Sequence, residues 1–136
     1  MVPAVERWLP DANTILRYPL GDDPALSSRA DVFWEAVRNG SRNALLRVGV
    51  VLECVNVLQR FYRVPRAIVA EKLLGLIAYK GLAAAEADLL EESLKIYAAE
   101  NFDFVDSLLA ASMARGDGTI FGFDKKLDKR TEGSRC

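Results

Sequence analysis

Four carboxylates stand where an alternating fold can gather them: Asp11, Glu53, Asp106 and Asp124. Asp11 follows the apolar approach Trp8-Leu9-Pro10, and Asp124 follows Thr119-Ile120-Phe121-Gly122-Phe123, so both end expected strands. Glu53 and Asp106 fall near the starts of expected helices. In an open parallel sheet, ligands bind where strands give way to the loops and helices that follow. Two unit charges ~4 Å apart repel by about 4 kcal/mol at an effective dielectric of 20, so four gathered carboxylates need a cation. Hard oxygen donors in a chain without histidine select Mg²⁺ or Mn²⁺. Removing one such acid relieves repulsion, so thermal stability without metal is expected to hold or rise slightly.

Each acid also has a plain structural reading. Asp11 or Asn13 can cap the helix that follows. Glu53 shares a helical face with Asn56 and Arg60 and can belong to a solvated stripe. Asp103 and Asp106, three apart, can be the N-cap and a dipole-favoured acid of one first turn. The absence of histidine removes Ser–His–Asp and Cys–His sites, histidine-based ribonuclease chemistry and most zinc sites.

The elements that must position these acids follow from periodicity and punctuation. A helix is expected over Asn13–Leu20, interrupted by Pro19, then a turn at Gly21-Asp22-Asp23-Pro24. Leu26, Ala30, Phe33, Trp34 and Val37 recur at helical spacing between Pro24 and Arg38. Asn43–Val48 reads as a second strand, running into a helix over Val50–Leu58. Further helices are expected over Pro65–Tyr79 and from the capping-box pair Asp88/Glu91 to Ala99. A last helix follows Asp103, and Thr119–Phe123 reads as a strand.

The 136 residues bound this to one domain, with 131–136 a frayed tail. Net charge is −1, so no global basic field attracts nucleic acid. The two cysteines, Cys54 within an apolar run and Cys136 at the end, suggest a reducing compartment. With no visible signal peptide and no apolar run of membrane-spanning length, a cytoplasmic location is expected.

Four stretches together carry a resemblance: Asp11-Ala12-Asn13-Thr14-Ile15-Leu16-Arg17-Tyr18, Leu52-Glu53-Cys54-Val55, Asp103-Phe104-Val105-Asp106-Ser107-Leu108-Leu109-Ala110-Ala111, and Phe123-Asp124-Lys125-Lys126. In order and spacing the chain resembles the PIN-domain ribonucleases, most closely the bacterial VapC-type toxins of toxin–antitoxin systems, from Leu9 to about Lys129. The resemblance implies a three-layer α/β/α fold with a central parallel sheet of four or five strands. It implies that Asp11, Glu53, Asp106 and Asp124 form the metal site, with Asp103 a further contributor and Asn13 a supporting hydrogen-bonding group. It also implies Mg²⁺- or Mn²⁺-dependent RNA hydrolysis, a paired antitoxin and a homodimer. Three departures stand out: Gly122 replaces the usual threonine or serine two before the last acid, Pro19 replaces an aliphatic residue, and Pro10 abuts Asp11.

Metal-assisted attack of water would leave a 5′-phosphate and a 3′-hydroxyl. Arg17, Arg42, Lys125 and Lys126 are candidate holders of flanking phosphates, or ordinary solvated cations. Such a monomer carries an acidic pit and no strongly basic surface, which is why dimerisation is expected to build the RNA groove. Among Trp34, Phe61, Tyr62 and Leu76, some are expected to stay exposed for a second subunit or an antitoxin segment. The alternatives are a catalytically inactive scaffold that binds a partner and, more remotely, an aspartate-nucleophile phosphatase.

Overall fold

The first extended segment is short because its sequence cannot continue it. In the computed structural model, which describes residues 7–20, 24–83 and 85–122, β1 is Arg7–Trp8. Pro10 has no N–H to add to a ladder, and the chain turns into a helix at Ala12. β1 pairs in parallel with β2, Asn43–Ala44, and Leu45 N donates to the Trp8 carbonyl at 3.0 Å. On the other side of β2 a single parallel bridge joins Ala44 to Leu82, with Ala83 N donating to the Ala44 carbonyl at 2.8 Å. Gly81 permits this close approach, since a Cβ there would collide with the carbonyl oxygens of Arg42 and Val37.

That ladder is the whole of the sheet among the described residues. The expected PIN-like three-layer α/β/α fold with a central parallel sheet of four or five strands is therefore not what forms. The expected second strand stops after Ala44 because Arg47, at φ −85° and ψ 143°, already caps a helix. Residues 119–122 of the expected last strand lie outside any ladder. A parallel sheet needs strands buried on both faces, whereas Trp8 and Leu9 are exposed.

Helices carry the fold instead. α1 is Ala12–Leu20 and runs through Pro19, in its last turn, without the expected interruption. α2, Pro24–Asn39, opens on proline and ends at Gly40, whose φ of +86° suits a left-handed stop. α3, Val48–Asn56, continues directly into a π turn over Val57–Phe61. Its N-terminus is held from afar: Glu86 accepts from Val48 N at 3.2 Å and pairs with Arg47 at 3.6 Å. α4 is Arg66–Ile77, α5 is Ala87–Ala99 and α6 is Phe104–Ala114. The expected Asp88/Glu91 capping box does not form. Glu86 occupies the N-cap of α5, and Glu91 pairs with Lys95 at 2.9 Å.

The core lies where these helices meet. Trp34, Tyr97, Phe104, Ile15, Leu90 and Leu94 are fully buried. Truncating a buried aromatic of this kind typically costs about 3–5 kcal/mol. Trp34 does more than fill space, because its indole N–H donates to the Thr14 carbonyl at 3.1 Å and so ties α2 to α1. Arg66 ties α4 to the α5–α6 region by donating to the Tyr97 and Phe102 carbonyls while its guanidinium lies 4.4 Å from the Tyr97 ring centroid. Of the four side chains expected at a partner surface, Trp34 and Leu76 are core, and Phe61 and Tyr62 are exposed. Among the described residues no helix is long and apolar enough to cross a membrane.

Candidate functional site

The site grows from the first turn of α1. Asp11 Oδ1 accepts from Thr14 N and from Thr14 Oγ1, both at 2.9 Å, which makes Asp11 the helix cap. These bonds, the backbone one first, favour the ionised carboxylate and hold its pKa below the ordinary aspartate value. Its side chain nevertheless remains exposed, so capping does not withdraw Asp11 from solvent.

A cleft of about 740 Å³ opens beside this cap. One wall is Trp8, Leu9 and Pro10 with Asp11, Asn13, Thr14 and Arg17 of α1. The other is Ser28, Arg29, Ala30, Val32 and Phe33 of α2, and Arg42 stands at the approach to β2. The Trp34–Thr14 bond fixes the two walls together, as does Tyr18, whose hydroxyl meets that of Tyr79 at 2.8 Å and donates to Glu35 at 3.2 Å. Burial, ahead of the Tyr79 bond, raises the Tyr18 pKa and keeps its hydroxyl protonated. Arg42 lies over the Trp8 ring at 5.0 Å, and Trp8 meets Phe33 edge-on at 6.5 Å.

Three arginines and one carboxylate line this cleft. Among the described residues this cleft is therefore cationic, with Asp11 on its rim. Four expected site residues are brought together here: Asp11, Asn13, Arg17 and Arg42. Arg29, which carries no role in the sequence pattern, joins them, and Phe33, expected there as an apolar helix residue, lies one turn away on the same face of α2.

The other acids are placed differently. α3 packs against α1, and the Cys54 thiol points at the Ala12 carbonyl across 3.8 Å. Glu53 and Asp11 adjoin this contact, and both charges act on Cys54. Desolvation first, then those two carboxylates, push the thiol up to about 12. Asp103 caps α6 by accepting from Asp106 N at 2.8 Å, as the plain reading expected, and Asp106 is half-buried in that first turn. α6 also touches α3. Even so, no three acidic or thiol side chains gather into a metal cage among the described residues. Glu53, Asp103 and Asp106 do not line the arginine cleft. Asp124, Lys125 and Lys126 lie outside the described residues.

Mg²⁺ commonly takes only one or two protein carboxylates and completes its shell with water and substrate phosphate. Asp11 and Glu53, hard oxygen donors next in sequence to the Ala12–Cys54 contact between α1 and α3, fit that sparse requirement in donor type. No family model, curated protein or solved structure matches the chain.

Proposed function

We propose that this protein is a divalent-metal-dependent ribonuclease, acting as the toxin of a toxin–antitoxin pair, with RNA held in the cleft beside Asp11. The observation that carries the reading is the convergence of Asp11 with Arg17, Arg29 and Arg42 on one cleft. An RNA strand needs cations along its phosphates and apolar surfaces for its unstacked bases. Trp8 and Phe33 supply the second requirement beside the first. The reading rests on this cleft and on the order of the acidic stretches, not on a doubly covered sheet.

Asp11 and Glu53 would hold Mg²⁺ or Mn²⁺, with Asp106 and Asp124 completing the set that the resemblance implies. When bound, such an ion neutralises phosphate charge and makes a held water more acidic. The chain's own residues supply the rest. The arginines position the phosphodiester, and the Thr14 bonds keep Asp11 ionised and aimed from a rigid first turn. A cognate antitoxin and a homodimer belong to the same proposal, and sedimentation at micromolar concentration tests the dimer.

A second reading, an inactive scaffold that binds RNA or a partner without cleaving, is favoured by the lack of a three-acid group among the described residues. Cleavage of single-stranded RNA by wild type and by Asp11→Asn separates the two. Loss of Mg²⁺-dependent cleavage in the variant supports the ribonuclease. Near wild-type cleavage by the variant removes Asp11 from the site.

A further inference from the structure

A second exposed group lies away from the cleft, beyond the C-terminal end of α3. Arg60 and Phe61 end the π turn and Tyr62 and Arg63 form its exit; Phe61 is 77% exposed and Tyr62 42%. Their rings meet edge-on at 5.0 Å, so each holds the other in place while the pair stays in solvent. Arg60 and Arg63 flank them, also exposed, and among the described residues neither is in an ion pair. The stretch from Cys54 to Ala70 contains no acidic residue.

The backbone is organised to present these side chains. Tyr62 N donates to the Val57 carbonyl at 3.2 Å and Val64 N to the Leu58 carbonyl at 2.8 Å. Such widened turns are frequent at functional sites. Arg63 has a φ of +55°, the left-handed region that a long side chain seldom adopts. A purely structural turn would be better served there by glycine. Large exposed aromatics next to unpaired cations match what an unpaired nucleic acid strand offers: a π face on every base and a charge on every linker.

We propose that Arg60, Phe61, Tyr62 and Arg63 form a stacking platform for single-stranded RNA, separate from the Asp11 cleft. The platform lies two helical turns beyond Glu53, about 12 Å along the helix axis. It would hold RNA flanking the segment presented to Asp11. The inference rests on the reading of the chain as RNA-directed, but it concerns binding and needs no metal.

The test is fluorescence anisotropy of the full chain with fluorescein-labelled oligouridine in EDTA, together with photocrosslinking of 5-iodouridine RNA mapped by mass spectrometry. Phe61→Ala is expected to weaken binding about tenfold, equivalent to about 1.4 kcal/mol. Phe61→Trp is expected to retain it, because stacking survives. Arg63→Gly removes the cation while suiting the backbone, and is expected to lower the dependence of binding on salt. A crosslink at Phe61 or Tyr62 supports the platform even if no RNA is cleaved in Mg²⁺, in which case only the ribonuclease reading fails. Cleavage or binding unaffected by Phe61→Ala, with no crosslink there, overturns the platform and leaves the Asp11 site standing. If Phe61→Ala instead dissociates a dimer and RNA affinity is unchanged, the pair is a self-association surface and the proposal is wrong. Absence of any RNA binding by wild type overturns it as well.

Discussion

Asp11 carries a structural duty and a proposed chemical one, and two substitutions separate them. In Asp11→Ala both bonds from Thr14 are lost, and removal of a helix cap costs about 1 kcal/mol. At an unfolding entropy of about 2.1 cal/mol/K per residue, a chain of this size should melt about 3–4 °C lower. Asp11→Asn keeps an oxygen facing both Thr14 donors, and asparagine caps about as well as aspartate. Its melting temperature should therefore stay within about 2 °C of wild type. The charged part of the cap is resolved by pH. The folded pKa of Asp11 lies below the unfolded value of about 3.9, so its charge stabilises the fold above that value. That contribution is lost as pH falls through the folded pKa. Any gap between wild type and Asp11→Asn should close in that window, whereas the gap between Asp11→Asn and Asp11→Ala should persist. Calorimetry in EDTA from pH 2 to neutrality measures both. Asp11→Asn melting clearly above wild type at pH 7 would refute this reasoning and show a crowded, repulsive carboxylate cluster, as the bare sequence suggested.

Three further outcomes follow from the same geometry. Arg42→Ala should weaken RNA binding without regard to sequence and reduce the salt slope by about 0.7, the value for one phosphate contact on a single strand; an unchanged slope places Arg42 off the strand. Cys54 is fully buried, so it should resist iodoacetamide at pH 8 in the native protein and label on unfolding. Labelling at the rate of a free thiol would contradict the α1–α3 packing. Gly81→Ala should destabilise by about 1–3 kcal/mol in urea titrations, because its Cβ meets the Arg42 and Val37 carbonyls. A neutral result would mean that the Ala44–Leu82 bridge is dispensable.

The helices were legible because their punctuation is local. Pro24 and Gly40 bound α2, and Asp103 caps α6 as its spacing with Asp106 foretold. The sheet was misread for a reason that also lies in the residues. Val48 is β-branched and suits the strand expected over Asn43–Val48, yet it opens α3 and packs, partly buried, against the core. Burial against neighbouring helices overrides so weak a preference. Periodicity also cannot tell a fully buried Trp34 from a fully exposed ring, because it reports a face and not what covers that face. At the site, Asn13 and Arg17 were within reach of inference because they lie on α1 with Asp11. Arg29 was not, because its place in the cleft depends on how α2 crosses α1, which the Trp34–Thr14 bond sets. The acids were legible first as caps: Asp11 caps α1 and Asp103 caps α6, while Asp11 and Glu53 flank the contact of the Cys54 thiol with the Ala12 carbonyl.

The central claim is that RNA is hydrolysed beside Asp11 with the help of a hard divalent ion. Its most direct measurement is single-turnover cleavage of end-labelled single-stranded RNA by the purified chain in Mg²⁺, Mn²⁺ and EDTA, with the product ends determined. The account predicts cleavage in either ion, none in EDTA, and products bearing a 5′-phosphate and a 3′-hydroxyl. RNA left intact in both ions, cleavage that persists in EDTA, or 2′,3′-cyclic phosphate ends would contradict it.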